Sequence, residues 1–185
     1  MWQIIPRFAQ PTGIVRRVMV AMLYLIAPTT LSDVHAPLAF NDVQLVGSAR
    51  LSVLFWDVYD VQLFTNTGRY DPDQPFLLSI RYLREVTGED IAERSIAEMK
   101  ANDAIEASSL AQWTEQLQGL FPDVSKGDQI QGVYDPLEGA TFFHNETHLG
   151  VISDLQLSRR FFDIWLGERT SKPEIRKQLL GLSTL

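Results

Sequence analysis

The sequence predicts an α+β domain built on a mostly antiparallel sheet. Strand-like and helix-like segments come in blocks instead of alternating, and the apolar runs are joined by turns of hairpin length. Capping signals mark where the helices begin. From Phe40 to Phe64, Val, Leu, Phe, Trp and Tyr dominate, and a Gly47-Ser48 break divides the run into a short strand and a long one. Thr65-Asn66-Thr67-Gly68 and Asp71-Pro72-Asp73 supply turn chemistry. Phe76, Leu78, Ile80 and Tyr82 then alternate with Leu77, Ser79, Arg81 and Leu83, the period of a third strand. Thr87 with Asp90 reads as a capping box opening a helix through Lys100. Its stripe of Ile91, Ala92, Ile96 and Met99 is expected to lie on the sheet.

Ser109 with Gln112 repeats the signal. Leu110, Trp113, Leu117 and Leu120 keep helical spacing until Phe121-Pro122 stops it. Ile130–Tyr134, Ala140–His144 and Leu149–Ile152 form a hairpin region, with Asn145-Glu146-Thr147 as a turn. Ser153 and Gln156 cap a helix that buries Leu157, Phe161, Ile164 and Trp165 and ends at Gly167. Ser171, Pro173 and Glu174 start a last short helix closing at Gly181.

Residues 1–36 read as a leader rather than as fold. Arg7, Arg16 and Arg17 precede an unbroken apolar run, Val18 to Ala27, and the segment holds one acid, Asp33. Ten helical residues rise about 15 Å, half the roughly 30 Å a spanning segment must cross. Positive residues, a short apolar stretch and then small residues make the pattern of a secretory signal peptide. Cleavage after Ser32 or after Ala36 both fit, leaving one domain over residues 37–185 and no membrane span. The expected location is the periplasm or the exterior of a bacterium. Over the whole chain 16 Lys+Arg face 23 Asp+Glu, a net charge of −7. Without the leader, 13 bases face 22 acids, or −9. Nucleic acid is therefore not an expected partner, and anionic membrane surfaces are poor ones unless a basic patch exists. The chain has no cysteine, which excludes disulfides, Cys-ligated zinc, Fe–S clusters and a thiol nucleophile.

Familiar catalytic sets are missing. There is no G-x-S-x-G elbow, no Walker loop and no G-x-G-x-x-G. His144 and His148 flank a predicted turn, where a spacing of four does not align them for a metal, so neither metal nor cofactor is expected. Asn145-Glu146-Thr147 is formally a glycosylation sequon, a pattern too common to carry weight. Arg159-Arg160 reads as a solvated helix face. The pair that carries chemistry is Arg50, entering an apolar strand, and Tyr59 further along it. A guanidinium fork and a phenol suit an apolar cavity holding one anionic or carbonyl head group. The alternative is a solvent-facing arginine and a core tyrosine. A regular strand puts residues nine apart on opposite faces, so one pocket for both requires a bulge.

The runs VGSARLSVLFWDVYDVQLF, LLSIRYLREVTGEDIAERSIAEM, FPDVSKGDQI, FFHNETHLG and RFFDIWLGERTSKPEIRKQLLG resemble the chalcone isomerase-like family, in order and over residues 40–183. More narrowly, they resemble its exported bacterial branch. The resemblance implies an open-faced β-sandwich, a large antiparallel sheet with helices layered on one side and a ligand cleft between. In the plant enzyme an arginine in a Gly-x-x-Arg region stabilises a developing phenolate, helped by tyrosine, asparagine and threonine side chains. Against that pattern Arg50 matches the arginine. Tyr59 stands where the enzyme has threonine, as in the non-catalytic fatty-acid-binding relatives. Ile91 stands at the catalytic tyrosine, Glu98 at the asparagine and Ile175 near the cleft threonine. Isoleucine cannot donate a hydrogen bond, and a glutamate repels a phenolate.

Three readings follow. The first is an exported, non-catalytic carrier of a hydrophobic carboxylate such as a fatty acid, with Arg50 and Tyr59 on the head group. The second is an envelope protein with a structural or partner-binding role and a filled core. The third, against which Ile91 and Glu98 argue, is a chalcone-type intramolecular lyase. Ligand identity and oligomeric state stay open.

Overall fold

A computed structural model describes residues 43–182. The proposed leader and its cleavage site lie outside the described residues. Six strands form one sheet in sequence order: β1 (Gln44–Val53), β2 (Trp56–Thr65), β3 (Phe76–Tyr82), β4 (Gln129–Asp135), β5 (Gly139–His144) and β6 (Thr147–Ile152). Every neighbouring pair is antiparallel. Two helices, α1 (Gly88–Asn102) and α2 (Ala107–Leu120), are inserted between β3 and β4; α3 (Leu155–Leu166) and α4 (Pro173–Leu179) follow the sheet. This is the α+β arrangement the blocks of periodicity predict.

The first hairpin departs from expectation. β1 runs through Gly47-Ser48, and the chain turns instead at Leu54-Phe55, which carries no turn residue. Leu54 takes the left-handed conformation, φ 56°, a region costing a non-glycine residue roughly 1–2 kcal/mol. Gly47 has a different task. A Cβ there would lie 2.2 Å from the carbonyl oxygen of Gln178, so a glycine lets α4 approach β1. The later turn is nearer the prediction: Asn145 and Glu146, both at positive φ, join β5 to β6.

Period-two alternation selects the helix-facing side of the sheet. Val61 and Leu63, then Leu78 and Ile80, then Ile130, Phe142 and Ile152 point into the core. Against them α3 packs Leu157, Phe161, Phe162 and Trp165. Phe162 meets Phe76 edge-on at 5.0 Å, and Phe161 meets Phe142 edge-on at 5.2 Å. The α1–α2 excursion is closed at its neck by reciprocal hydrogen bonds between Val86 and Val124. Thr87 caps α1 through Oγ1, which accepts from the Asp90 amide at 3.1 Å. α2 starts at Ala107, two residues before the expected Ser109. α1 does not lie on the sheet as its apolar stripe predicts: it packs against α2 and α3. No helix among the described residues is long and apolar enough to cross a membrane.

Candidate ligand cleft

Because α1 rests on its neighbouring helices, a cleft of about 600 Å³ opens between it and the sheet. Small-molecule sites are of the order of 300–1,000 Å³. Leu78 and Ile80 of β3 and Ile130 of β4 make its floor, Phe161, Phe162 and Trp165 of α3 one wall, and Ile91 and Ser95 of α1 the opposite side. The Ser95 hydroxyl is satisfied within its own helix, donating to the Ile91 carbonyl at 2.7 Å, so it makes no polar demand on a guest.

Tyr59 brings a polar atom into the apolar space. Its hydroxyl accepts a hydrogen bond from the Trp165 indole at 2.8 Å, which leaves its own proton available to donate. Burial pushes the phenol up to about 12, ahead of the opposing effect of the indole, so it is neutral at pH 7. Cations stand at the rim: Arg84, Arg94 and Lys172 all line the cleft and are exposed. Arg84 lies over the Trp56 ring at 5.9 Å, whereas Arg94 makes no hydrogen bond or ion pair with another described residue. Lys172 is 4.0 Å from Glu98, whose carboxylate also accepts from the Ser171 hydroxyl at 2.5 Å. Greasy walls, one neutral donor and two rim arginines without a carboxylate partner suit an amphiphile with an acidic end.

A family model described as chalcone isomerase-like matches residues 18–181. The chain belongs to the chalcone isomerase-like family. No curated protein matches it by sequence. Among solved structures it is similar to a fatty-acid binding protein of Arabidopsis thaliana, with a TM-score of 0.60 and 13% identity. The match covers 76% of this chain and 87% of that one, and shows a shared fold.

Within this member of the chalcone isomerase-like family, Arg50 and Tyr59 are not brought together. Arg50 stands opposite Asp60 in the β1–β2 ladder and Leu51 opposite Tyr59, so the two residues occupy opposite faces. The hairpin does contain a bulge, but it falls one step later: Val58 has no partner between the pairs Leu51–Tyr59 and Ser52–Asp57. Val58 thus joins Tyr59 in the cleft, and Arg50 stays outside it. Its guanidinium is held by Asp60 at 2.6 and 3.0 Å and by Asp57 at 3.0 Å, and Asp57 also accepts from Ser52 at 2.6 Å. The Ser52 hydroxyl, then Arg50, hold the Asp57 carboxyl below its ordinary value. In this placement the donors of Arg50 are taken by two carboxylates on the side away from the cleft, and Tyr59 is the one of the expected pair that lines it.

Of the positions the family comparison singles out, Ile91 and Glu98 line the cleft, while Ile175 is buried in the core away from it. His144 pairs with Asp128 at 3.3 Å and His148 packs on Phe143, so their partners differ. A larger depression of about 830 Å³ lies by Arg159, Arg160, Arg169 and Arg176. Its charges answer one another, Arg169 with Asp103 at 2.9 Å and Arg159 with Asp163 at 3.6 Å, which makes it a poor place for an apolar tail. Sequence reasoning missed Arg84 and Arg94. No motif marks them: Arg84 lies in the connection from β3 to α1, and Arg94 is an exposed position in the second turn of α1.

Proposed function

We propose that this protein holds a hydrophobic carboxylate, of the fatty-acid class, in the cleft between its sheet and α1, and does not transform it. The observation that carries the reading is an apolar cleft with a neutral phenol inside and two arginines without carboxylate partners at its mouth. The acyl chain would lie along Ile80, Phe161 and Phe162, each buried CH₂ contributing about 0.8 kcal/mol. The carboxylate would take a proton donor from Tyr59 and charge-assisted bonds from Arg84 and Arg94. The fold shared with a plant fatty-acid binding protein supports the reading. Ile91 on the cleft wall supports the non-catalytic half of it, since it offers no proton to a reacting oxygen.

Residues 1–36 complete the proposal as an export leader, supported by the arginines ahead of a ten-residue apolar run. The mature chain would then act in the periplasm or outside the cell. Native mass spectrometry of protein purified under mild conditions tests the ligand reading: a population heavier by the mass of a long-chain fatty acid is expected. A single apo mass, unchanged after incubation with excess palmitate, would refute it.

A further inference from the structure

Four consecutive apolar residues close the β1–β2 hairpin: Val53, Leu54, Phe55 and Trp56, with 47%, 88%, 97% and 67% of their surfaces exposed. Single exposed apolar residues are ordinary, but four in a row at a protruding tip are not. Leu54 holds the left-handed conformation there, where asparagine or glycine would sit at less cost, so the turn keeps an apolar side chain at the expense of strain. The Arg50–Asp57–Asp60 network and the Ser52–Asp57 hydrogen bond brace the hairpin just below the tip.

We infer that this tip inserts into the surface of a lipid bilayer and sets the mouth of the cleft against the source of its ligand, an inference that rests on the carrier reading above. The tip and the cleft are continuous: Val53 belongs to both, and Arg84 links them by lining the cleft while stacking on Trp56. A tryptophan beside an arginine is suited to the headgroup level, the ring at the apolar boundary and the guanidinium in the polar layer. A protein partner fits less well. A stable interface takes about 800 Å² from each side, whereas two aromatics at roughly 150–250 Å² apiece and two aliphatics fall short of it. The mouth carries Arg84, Arg94 and Lys172 against Glu85, Asp90 and Glu98, which balance. Attachment therefore depends on apolar insertion and not on anionic lipid.

The test is co-sedimentation of the protein as purified after export, with residues 1–36 removed, with phosphatidylcholine vesicles, for wild type and for Leu54→Ser/Phe55→Ser. The double variant is expected to lower the partition coefficient by about tenfold or more, the loss from two large side chains no longer buried. Wild-type binding should persist in 0.5 M salt, on the order of five times the ionic strength at which the screening length is 10 Å. Equal partitioning of the two proteins overturns the inference, since attachment would then lie elsewhere in the chain. A concentration-dependent dimer that the double variant abolishes also overturns it, because the tip would then serve a second copy. Palmitate binding without vesicles is measured alongside. Its retention in the double variant is expected, and its absence from both proteins counts against the carrier reading while the vesicle comparison still decides the tip.

Discussion

At Gly47 a single hydrogen in place of a methyl decides whether α4 can dock. A Cβ there would come within 2.2 Å of the Gln178 carbonyl oxygen and 2.6 Å of that of Leu179, and backbone atoms have little freedom to give way. Gly47→Ala is expected to destabilise the fold by about 1–3 kcal/mol, the usual cost of overpacking. Chemical denaturation measures it as a lower midpoint, and an unchanged midpoint would contradict the close approach. Arg50 belongs to the same scale. A residue type that suits a carboxylate head group suits an aspartate pair equally well, and the sequence shows both Asp57 and Asp60 within ten positions. Nothing in spacing alone separates those partners. The face can be read once the ladder is known, and there Arg50 falls opposite Asp60 on the side away from the cleft.

Asp154 links two elements. It caps α3 by accepting from the amides of Gln156 at 2.8 Å and Leu157 at 3.0 Å, and it also accepts from the Trp113 indole of α2 at 2.9 Å. Asp154→Ala removes a cap and strands a buried N–H, together roughly 2–4 kcal/mol. Desolvation pushes the carboxyl up, but the hydrogen bonds from Leu157, Trp113 and Gln156 outweigh it and leave the group below its ordinary value. A depressed carboxyl stabilises the fold above its unfolded value and loses that stabilisation as pH falls through the folded one. Thermal stability should therefore drop below about pH 4, and less steeply in Asp154→Asn, which still caps but carries no charge; equal acid slopes would remove Asp154 from this role. The helix was legible from Ser153 and Gln156, one residue away from the true cap. β3 was legible from its alternation and the turn residues before it, and β4 and β5 from short apolar runs bounded by the Asn145-Glu146-Thr147 turn. The β1–β2 turn was not, since leucine and phenylalanine occupy it and tertiary bracing replaces turn chemistry. A cleft between sheet and helices was implied by the family resemblance, but its position under α1 was hidden for a related reason. An apolar stripe on α1 predicts burial, but not whether the sheet or the neighbouring helices supply it.

The whole molecule makes its cleft by topology. A six-stranded antiparallel meander interrupted between β3 and β4 sends α1 and α2 out over one face, and α3 returns to wedge them from the sheet. The space left is apolar because the same alternation that builds the core also lines the cleft. At its mouth the charges balance, but Arg84, in the connection from β3, and Arg94, in α1, have no carboxylate partner there. Titration of the purified protein with palmitate, followed by quenching of Trp165 on the cleft wall, tests this most directly. Saturable one-to-one binding is expected in wild type and in Arg50→Ala. In Arg84→Ala/Arg94→Ala it should weaken by about tenfold or more, the loss of one charge-assisted bond after allowance for solvent at the rim. Weakening confined to Arg50→Ala, or no saturable binding in any of the three, would contradict the account.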